Sequence, residues 1–598
     1  MLRIALFFTV VAMSALFICS CGSKPSPESE GKEDEKEVII PNTAITGRDP
    51  TKFSNFSYSA PDKDELIRVL EDAAAAINRN DSDLESQVEL LKAAKKSYVN
   101  YLTMHSYAEL QLSFNQKNES FKKDYRASLD YYHKVLMSYE KLQVAAAQSP
   151  HFSGFEEEVF GIGKLEEFKS GEKLCDISVE LLKKEEELKI SFKSLSEDNV
   201  FISYSGVYST YKDAVERIKE QYKDSAEQLE IELLACKRQY EATKGEIALD
   251  IFIELAKIRQ QIASEAGYDS YTEFAYDRLG YSYSTHEMQT LVDSIRSFAL
   301  PIRAELTGVF DKYFYTNKPS EIATKNCFYS IYKLYSRFDC EVSRVFSYMF
   351  TRELYSIENA KEHRSDSSFI AYLPGYDAPF VFVTAGGNIR DYLTIAAHFG
   401  EFVDVFHSRE KNSHGFSQFS SKGLELITLS ALSETLTLED YKFLLYTVLD
   451  EAIDDLVSKS FSVRLEEAVY ALPAEQITKT AVKSIIDNIA VEYGFDDGLP
   501  FQPISECMIN EPFSDQCCCL ATLSALELYF IGNESADNAM NIYYELTRSS
   551  GGDYFEELKL HGLSDPFDPD FLKSMLDEIH YTIKGYHYFT DDEGSNAA

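Results

Sequence analysis

Residues 391–408 read DYLTIAAHFGEFVDVFHS, and this stretch decides the fold. Ile395, Phe399, Phe402, Val403 and Phe406 recur at three- and four-residue steps, so they share one side of a helix and need a core to cover them. His398, Glu401, Asp404 and His407 stand three apart. Steps of three advance a helix by about 300°, which leaves His398 and Glu401 about 60° apart and turns His407 to about the opposite side. An H-x-x-E pair has donors able to hold a metal. A catalytic zinc, however, takes three protein ligands and an open position. The helix has a reason to pack and no complete ligand set of its own.

Working outward, the preceding segment is the clearest β signal. Two apolar runs within Phe369–Thr384 flank Pro374-Gly375-Tyr376-Asp377, which predicts a short β ribbon directly before the helix. Elsewhere the pattern is helical. Polar–apolar stretches at 83–118, 120–148, 171–193 and 206–243 follow an opening helix near Asp64, and more lie in 247–315, 422–495 and 514–585. Breaks fall at Gln148-Ser149-Pro150 and Gly161-Ile162-Gly163. Gly (26) and Pro (16) are scarce in 598 residues, together about 7% against roughly 12% in average proteins, which favours long helices. No fixed-period repeat is present. The reading divides the chain into an N-terminal helical domain (61–240), a second domain (241–585) and a polar tail (586–598).

The balance of charges excludes one class of partner. Lys and Arg number 59 and Asp and Glu 98, a net charge of −39; nucleic acid needs a basic surface. At the N-terminus Met1-Leu2-Arg3 precedes an apolar run, Ile4 to Ile18, and then Cys19-Ser20-Cys21-Gly22. One positive charge, a short apolar core and small residues describe an export signal, residues 1–20. Ile18–Cys21 resembles a bacterial lipobox. That resemblance implies cleavage before Cys21, lipid on Cys21, and a protein held on the outer face of a membrane in the cell envelope. Residues 21–60, rich in Ser, Pro, Glu, Lys and Asp, read as a disordered tether. The remaining cysteines show no paired CxxC spacing, and Cys517-Cys518-Cys519 reads as small residues in a packed helix.

Several segments together resemble oligoendopeptidase F and its thimet-oligopeptidase-like zinc-metallopeptidase relatives. They are ELAKIRQQIASEAGYDSYTEFAYDRLG (254–280), APFVFVTAGGNIRDYLTIAAH (378–398), SFSVRLEEAVYALP (460–473) and GGDYFEELKLHGLSDPFDPDFL (551–572). The ordered set spans most of 65–580. It implies a mostly α, irregular two-lobed helical shell around a deep channel, and an ancestral activity on short peptides.

The same resemblance implies a degenerate site. An active helix of this kind carries HExxH, two zinc ligands one turn apart with a general base beside the first. In that frame the first ligand falls on Ala397, the base on His398, the second ligand on Glu401, and the third ligand near Ile427 of ELITLSALSE. Neither HExxH nor HxxEH occurs anywhere in the chain. The stretch 505–519, matching the family's substrate loop, has no His and no Tyr. The expectation is therefore no bound zinc and no catalytic residue, with His398, Glu401, Asp404, Glu425 and Glu434 lining a channel that binds peptides or a protein partner. Two alternatives stay open: an active metallo-oligopeptidase with an unconventional metal site, and a scaffold whose channel has closed.

Overall fold

The computed structural model describes residues 52–595 apart from 81–82, 171–176, 339, 409–413, 496–502 and 549–552. The export signal, Cys21 and most of the tether lie outside these residues. Helices dominate: α1 (Lys63–Arg79), α2 (Leu84–Phe114), α3 (Glu119–Ala147), α4 (Val179–Lys193), α5 (Tyr211–Gln221), α6 (Ala226–Glu265), α7 (Tyr271–Leu279), α8 (Thr285–Thr316), α9 (Thr324–Tyr335) and α10 (Glu341–Thr351). After a small sheet follow α11 (Asp391–Ser408), α12 (His414–Leu432), α13 (Leu438–Tyr470), α14 (Lys479–Glu492), α15 (Asp515–Glu534), α16 (Ala536–Arg548), α17 (Tyr554–Leu560) and α18 (Pro569–Ser595). Their starts are written in the sequence. Asp62 accepts the Glu65 N–H at the head of α1, and Ser284 and Glu287 form a reciprocal capping box at α8. Among the described residues no helix is long and apolar enough to cross a membrane.

Two β features accompany the helices. The ribbon is present as β4 (Phe369–Leu373) and β5 (Ala378–Ala385), antiparallel with Phe369 opposite Phe382. A further strand, β3 (Tyr355–Asn359), pairs parallel to β5 and makes β5 the centre of a three-stranded sheet. The second is a hairpin, β1 (Phe201–Tyr204) and β2 (Val207–Thr210). Its Ser205-Gly206 turn has φ of 51° and 77°, the left-handed pair that a two-residue hairpin needs. The stretch read as one helix over 206–243 is thus a strand, α5 and the first half of α6.

Three boundaries shift. The 40-residue α6 runs straight through 240/241, and one core cluster includes Leu110, Met137 and Leu182 together with residues as distant as Ile583. One helix and one core cluster thus cross the division at 240, while the buried residues of two further clusters lie wholly within 66–240. The tether ends earlier than 60: Phe53 lies 4.2 Å from Phe380 and Phe56 stacks on Tyr376 at 3.6 Å, ring centre to ring centre. At the other end α18 reaches Ser595, so most of the polar tail is helical.

Candidate functional site

The site begins with how α11 is set. Its first residue, Asp391, is buried and accepts the N–H groups of Gly386 (2.9 Å) and Gly387 (3.0 Å) and the Thr324 hydroxyl. The carboxylate thereby fixes the loop from β5 against the positive end of the helix dipole. Gly387 has φ of +75°, and a Cβ there would fall 2.5 Å from the Asn359 amide, so any other residue at this point is strained. All five predicted apolar residues of α11 are buried.

The opposite side carries Ala397, His398 and Glu401, onto which the family resemblance lays its ligand positions. Ala397 is half-buried and offers no donor. His398 and Glu401 face alike as the spacing predicts, with Nδ1 and Oε1 3.3 Å apart and side chains 18% and 28% exposed. Ser421 on α12 donates to the same Glu401 oxygen at 3.3 Å. Ile427 is fully buried among apolar neighbours. A zinc ion here would meet two positions without a ligand atom and one carboxylate already paired, so the residues present do not fit the ion. Among the described residues no group of three or more His, Cys, Asp or Glu is placed to hold a metal.

Three predicted lining residues stand elsewhere. Asp404 is fully buried, near enough to Tyr543 to raise that phenol. The three-residue step drifts about 60° each time, so by the second step the helix has carried Asp404 round into the core. Glu434 lies seven after Ile427, but α12 ends at Leu432, and Glu434 is exposed in the turn beyond. Glu425 points to α13: Lys422 Nζ lies 3.8 Å from Glu425 and 3.2 Å from Asp455. Burial pushes the Glu425 carboxyl up against the pull of Lys422, while Glu425 in turn raises Lys422.

Residues that the sequence reading did not single out join this group. Arg390 pairs with Glu451, and Lys459 Nζ lies 2.9 Å from Asp515. Glu451, Asp455 and Lys459 fall one turn apart on one side of α13, partly exposed like His398 and Glu401. Paired charges thus join α12, α13, α15 and the residue that precedes α11. Spacing of four along α13 was the signal. The 505–519 segment does lack His and Tyr, but Tyr281 donates to the Phe513 carbonyl (3.1 Å) and Tyr283 to Gln516 (3.1 Å) from behind it. Buried Glu466 accepts the Phe513 N–H with both oxygens at 3.0 Å.

No family model matches the sequence, and no curated protein does. Solved structures do. A protein described as an oligoendopeptidase F matches with a TM-score of 0.71 at 20% identity, covering 89% of this chain and 99% of that one. PZ peptidase A, solved with an inhibitor, gives the same TM-score, identity and coverage. An oligoendopeptidase F of Bacillus anthracis matches with a TM-score of 0.68 at 19% identity, over 90% of this chain and 99% of the other. The chain shares the mostly helical fold of the oligoendopeptidase F-like peptidases.

Proposed function

We propose that this protein is a lipid-anchored envelope protein that binds peptides on an oligoendopeptidase F-like scaffold and does not hydrolyse them. One observation carries the loss of chemistry. Ala397 and buried Ile427 supply no ligand atom, which leaves His398 and Glu401, 3.3 Å apart, as two donors where a catalytic zinc takes three. Water activation needs an ion that lowers the pKa of its water, beside a general base, and neither stands here. What supports binding is the partly open strip of His398, Glu401, Lys422 and Asp455, together with the inhibitor held by a protein of the same fold. The anchor follows from Ile18–Cys21 and the polar residues after it.

The test is metal analysis of the purified chain alongside binding and cleavage of a peptide library. The expected result is saturable binding, no stoichiometric zinc and intact peptides. Near-stoichiometric zinc with chelator-sensitive cleavage would overturn the reading. For the anchor, Cys21→Ala is expected to move the protein out of the membrane fraction and abolish lipid labelling.

A further inference from the structure

Residues 52–59 lie between the three-stranded sheet and α2 as a strap held mainly by two rings. Phe53 sits against Phe380 of β5 at 4.2 Å, and against Tyr107 and Phe114 of α2 at 5.8 and 6.4 Å, ring centre to ring centre. Phe56 is buried and stacks on Tyr376 at 3.6 Å. Ser54, Asn55, Ser57 and Ser59 are exposed. Outside its own turn the strap bonds through the Phe53 N–H to the Arg352 carbonyl (3.0 Å), the Tyr107 hydroxyl to the Phe56 carbonyl (3.2 Å) and the Ser59 N–H to Met104 Sδ (3.2 Å). Lys52 pairs with Glu353 at 2.8 Å, with side chains 51% and 47% exposed. A segment with so few buried contacts belongs to the part of a fold that opens most readily.

The groove beneath the strap has supports of its own. Phe114 meets Phe380 and Phe382 edge-on at 6.1 and 5.5 Å. The Gly375 N–H donates to the Thr103 hydroxyl at 2.7 Å, which fixes the β4–β5 turn, and with it Tyr376, on α2. Aromatic walls of this kind favour another ring, stacked or edge-on, over an aliphatic side chain. Glu353 adds a carboxylate at the end where Lys52 enters.

We propose that this groove is a peptide-binding site for segments with a basic residue followed by two aromatic residues three apart, and that Phe53 and Phe56 are a tethered occupant that such a segment displaces. The chain's own Lys52-Phe53-Ser54-Asn55-Phe56 is the template for the ligand. A tethered occupant is present at high effective concentration, so a free peptide binds the intact chain only through the fraction in which the strap is out. The inference does not depend on the loss of the zinc site.

The probe is a fluorescein-labelled synthetic peptide copying residues 49–60, followed by fluorescence anisotropy on the purified full-length chain. Phe53→Ala with Phe56→Ala empties the groove, and this double variant should bind the peptide saturably, one to one. The wild type should bind it at least about tenfold more weakly, because its own strap competes. A peptide with both Phe replaced by Ala should not bind, and Tyr376→Ala added to the double variant should weaken binding. Equal affinity for wild type and double variant overturns the proposal, as does binding of the peptide without rings. A wild-type dimer that the peptide dissolves would give the groove to the strap of a second copy, and overturns it too. Hydrogen exchange on the wild type gives a test independent of any variant's folding. Amides of residues 52–59 should exchange at least about tenfold faster than those of β5. Exchange of the strap only together with β5 would make it a fixed part of the core and reject a displaceable occupant.

Discussion

Gly400 of α11 lies against the backbone of Ser420 in α12. A Cβ on residue 400 would fall 2.7 Å from the Ser420 carbonyl carbon and 3.0 Å from the Ser421 Cα. The Ser420 oxygen also accepts the Tyr543 hydroxyl at 3.0 Å, so α12 cannot back away without breaking that bond. The two helices are held together by this close approach and by the Ser421–Glu401 hydrogen bond.

Gly400→Ala is therefore expected to cost about 3 kcal/mol or more, beyond the gain in helix propensity, because overpacking meets main chain rather than a flexible side chain. Urea unfolding measures it. A loss below about 1 kcal/mol would mean the crossing is looser than described.

Ligand restoration tests the alignment of the site. Ile427→Glu alone places a carboxylate in the core and should destabilise by about 3 kcal/mol. Combined with Ala397→His, His398→Glu and Glu401→His, it should bind one zinc, and the melting temperature should rise with zinc and fall with chelator. At 100 times Kd the ion contributes about 2.7 kcal/mol. Peptide cleavage is not expected, since the 505–519 segment holds no His or Tyr to steady an oxyanion. Metal analysis showing no zinc would place the ligand positions elsewhere.

Arg259 on α6 is fully buried. It donates to Glu185 of α4 at 2.9 Å, to the Tyr470 hydroxyl at 3.1 Å, to the Met508 carbonyl at 2.8 Å and to the Ile509 carbonyl. Its counter-charge holds the Glu185 carboxyl down at about 2, against burial. Arg259→Met leaves Glu185 with Lys189 alone, 3.4 Å away, and two carbonyls unanswered, and should cost about 3–5 kcal/mol in chemical denaturation. Arg259→Met with Glu185→Gln should recover part of that loss. No recovery would show that the carbonyl bonds, not the ion pair, are what matter.

Asp450 on α13 faces Asp454 and Glu451 of its own helix and Asp311 and Arg303 of α8. Burial first, then the neighbouring carboxylates, push its carboxyl up to about 7. The folded chain therefore keeps this proton after the unfolded chain, titrating near 4, has lost it. Its contribution to stability is full below about pH 4 and is lost as pH rises through 7. Asp450→Asn removes the titration and keeps the shape. Between about pH 5 and pH 7 the wild type should lose stability more steeply than the variant, by up to about 1.4 kcal/mol per pH unit. Parallel profiles would reject the assignment.

Much of this was legible in the sequence, and the omissions have physical causes. The apolar face of α11 followed from spacing, because helical periodicity directly reports which side meets the core. The ribbon followed from its turn residues. Strand β3 did not, since only two of its residues, Tyr355 and Ile357, are large and apolar and it is recognised only by pairing with β5. The Ser205-Gly206 hairpin was overlooked beside a longer helical pattern, although its flanks FISY and VYST are rich in β-formers. In the site, the approach of His398 to Glu401 on one side of α11 followed from their spacing of three. The pairing of Lys422 with Asp455 and of Lys459 with Asp515 joins separate helices, and such contacts between distant segments leave no periodic trace in either one.

The aromatic clasp of Phe53 and Phe56 on Phe380 and Tyr376 has a consequence for reach. It pins the start of the folded chain to the sheet that precedes α11, rather than to the far end of the molecule. If Cys21 carries a lipid, as proposed, about 30 residues lie between it and the clasp, a contour length of at most about 100 Å. The sheet and its neighbouring helices would then be the region closest to the membrane surface. A soluble peptide would meet them in a layer about as thick as the protein itself, where a tethered binder samples its surroundings in two dimensions rather than three.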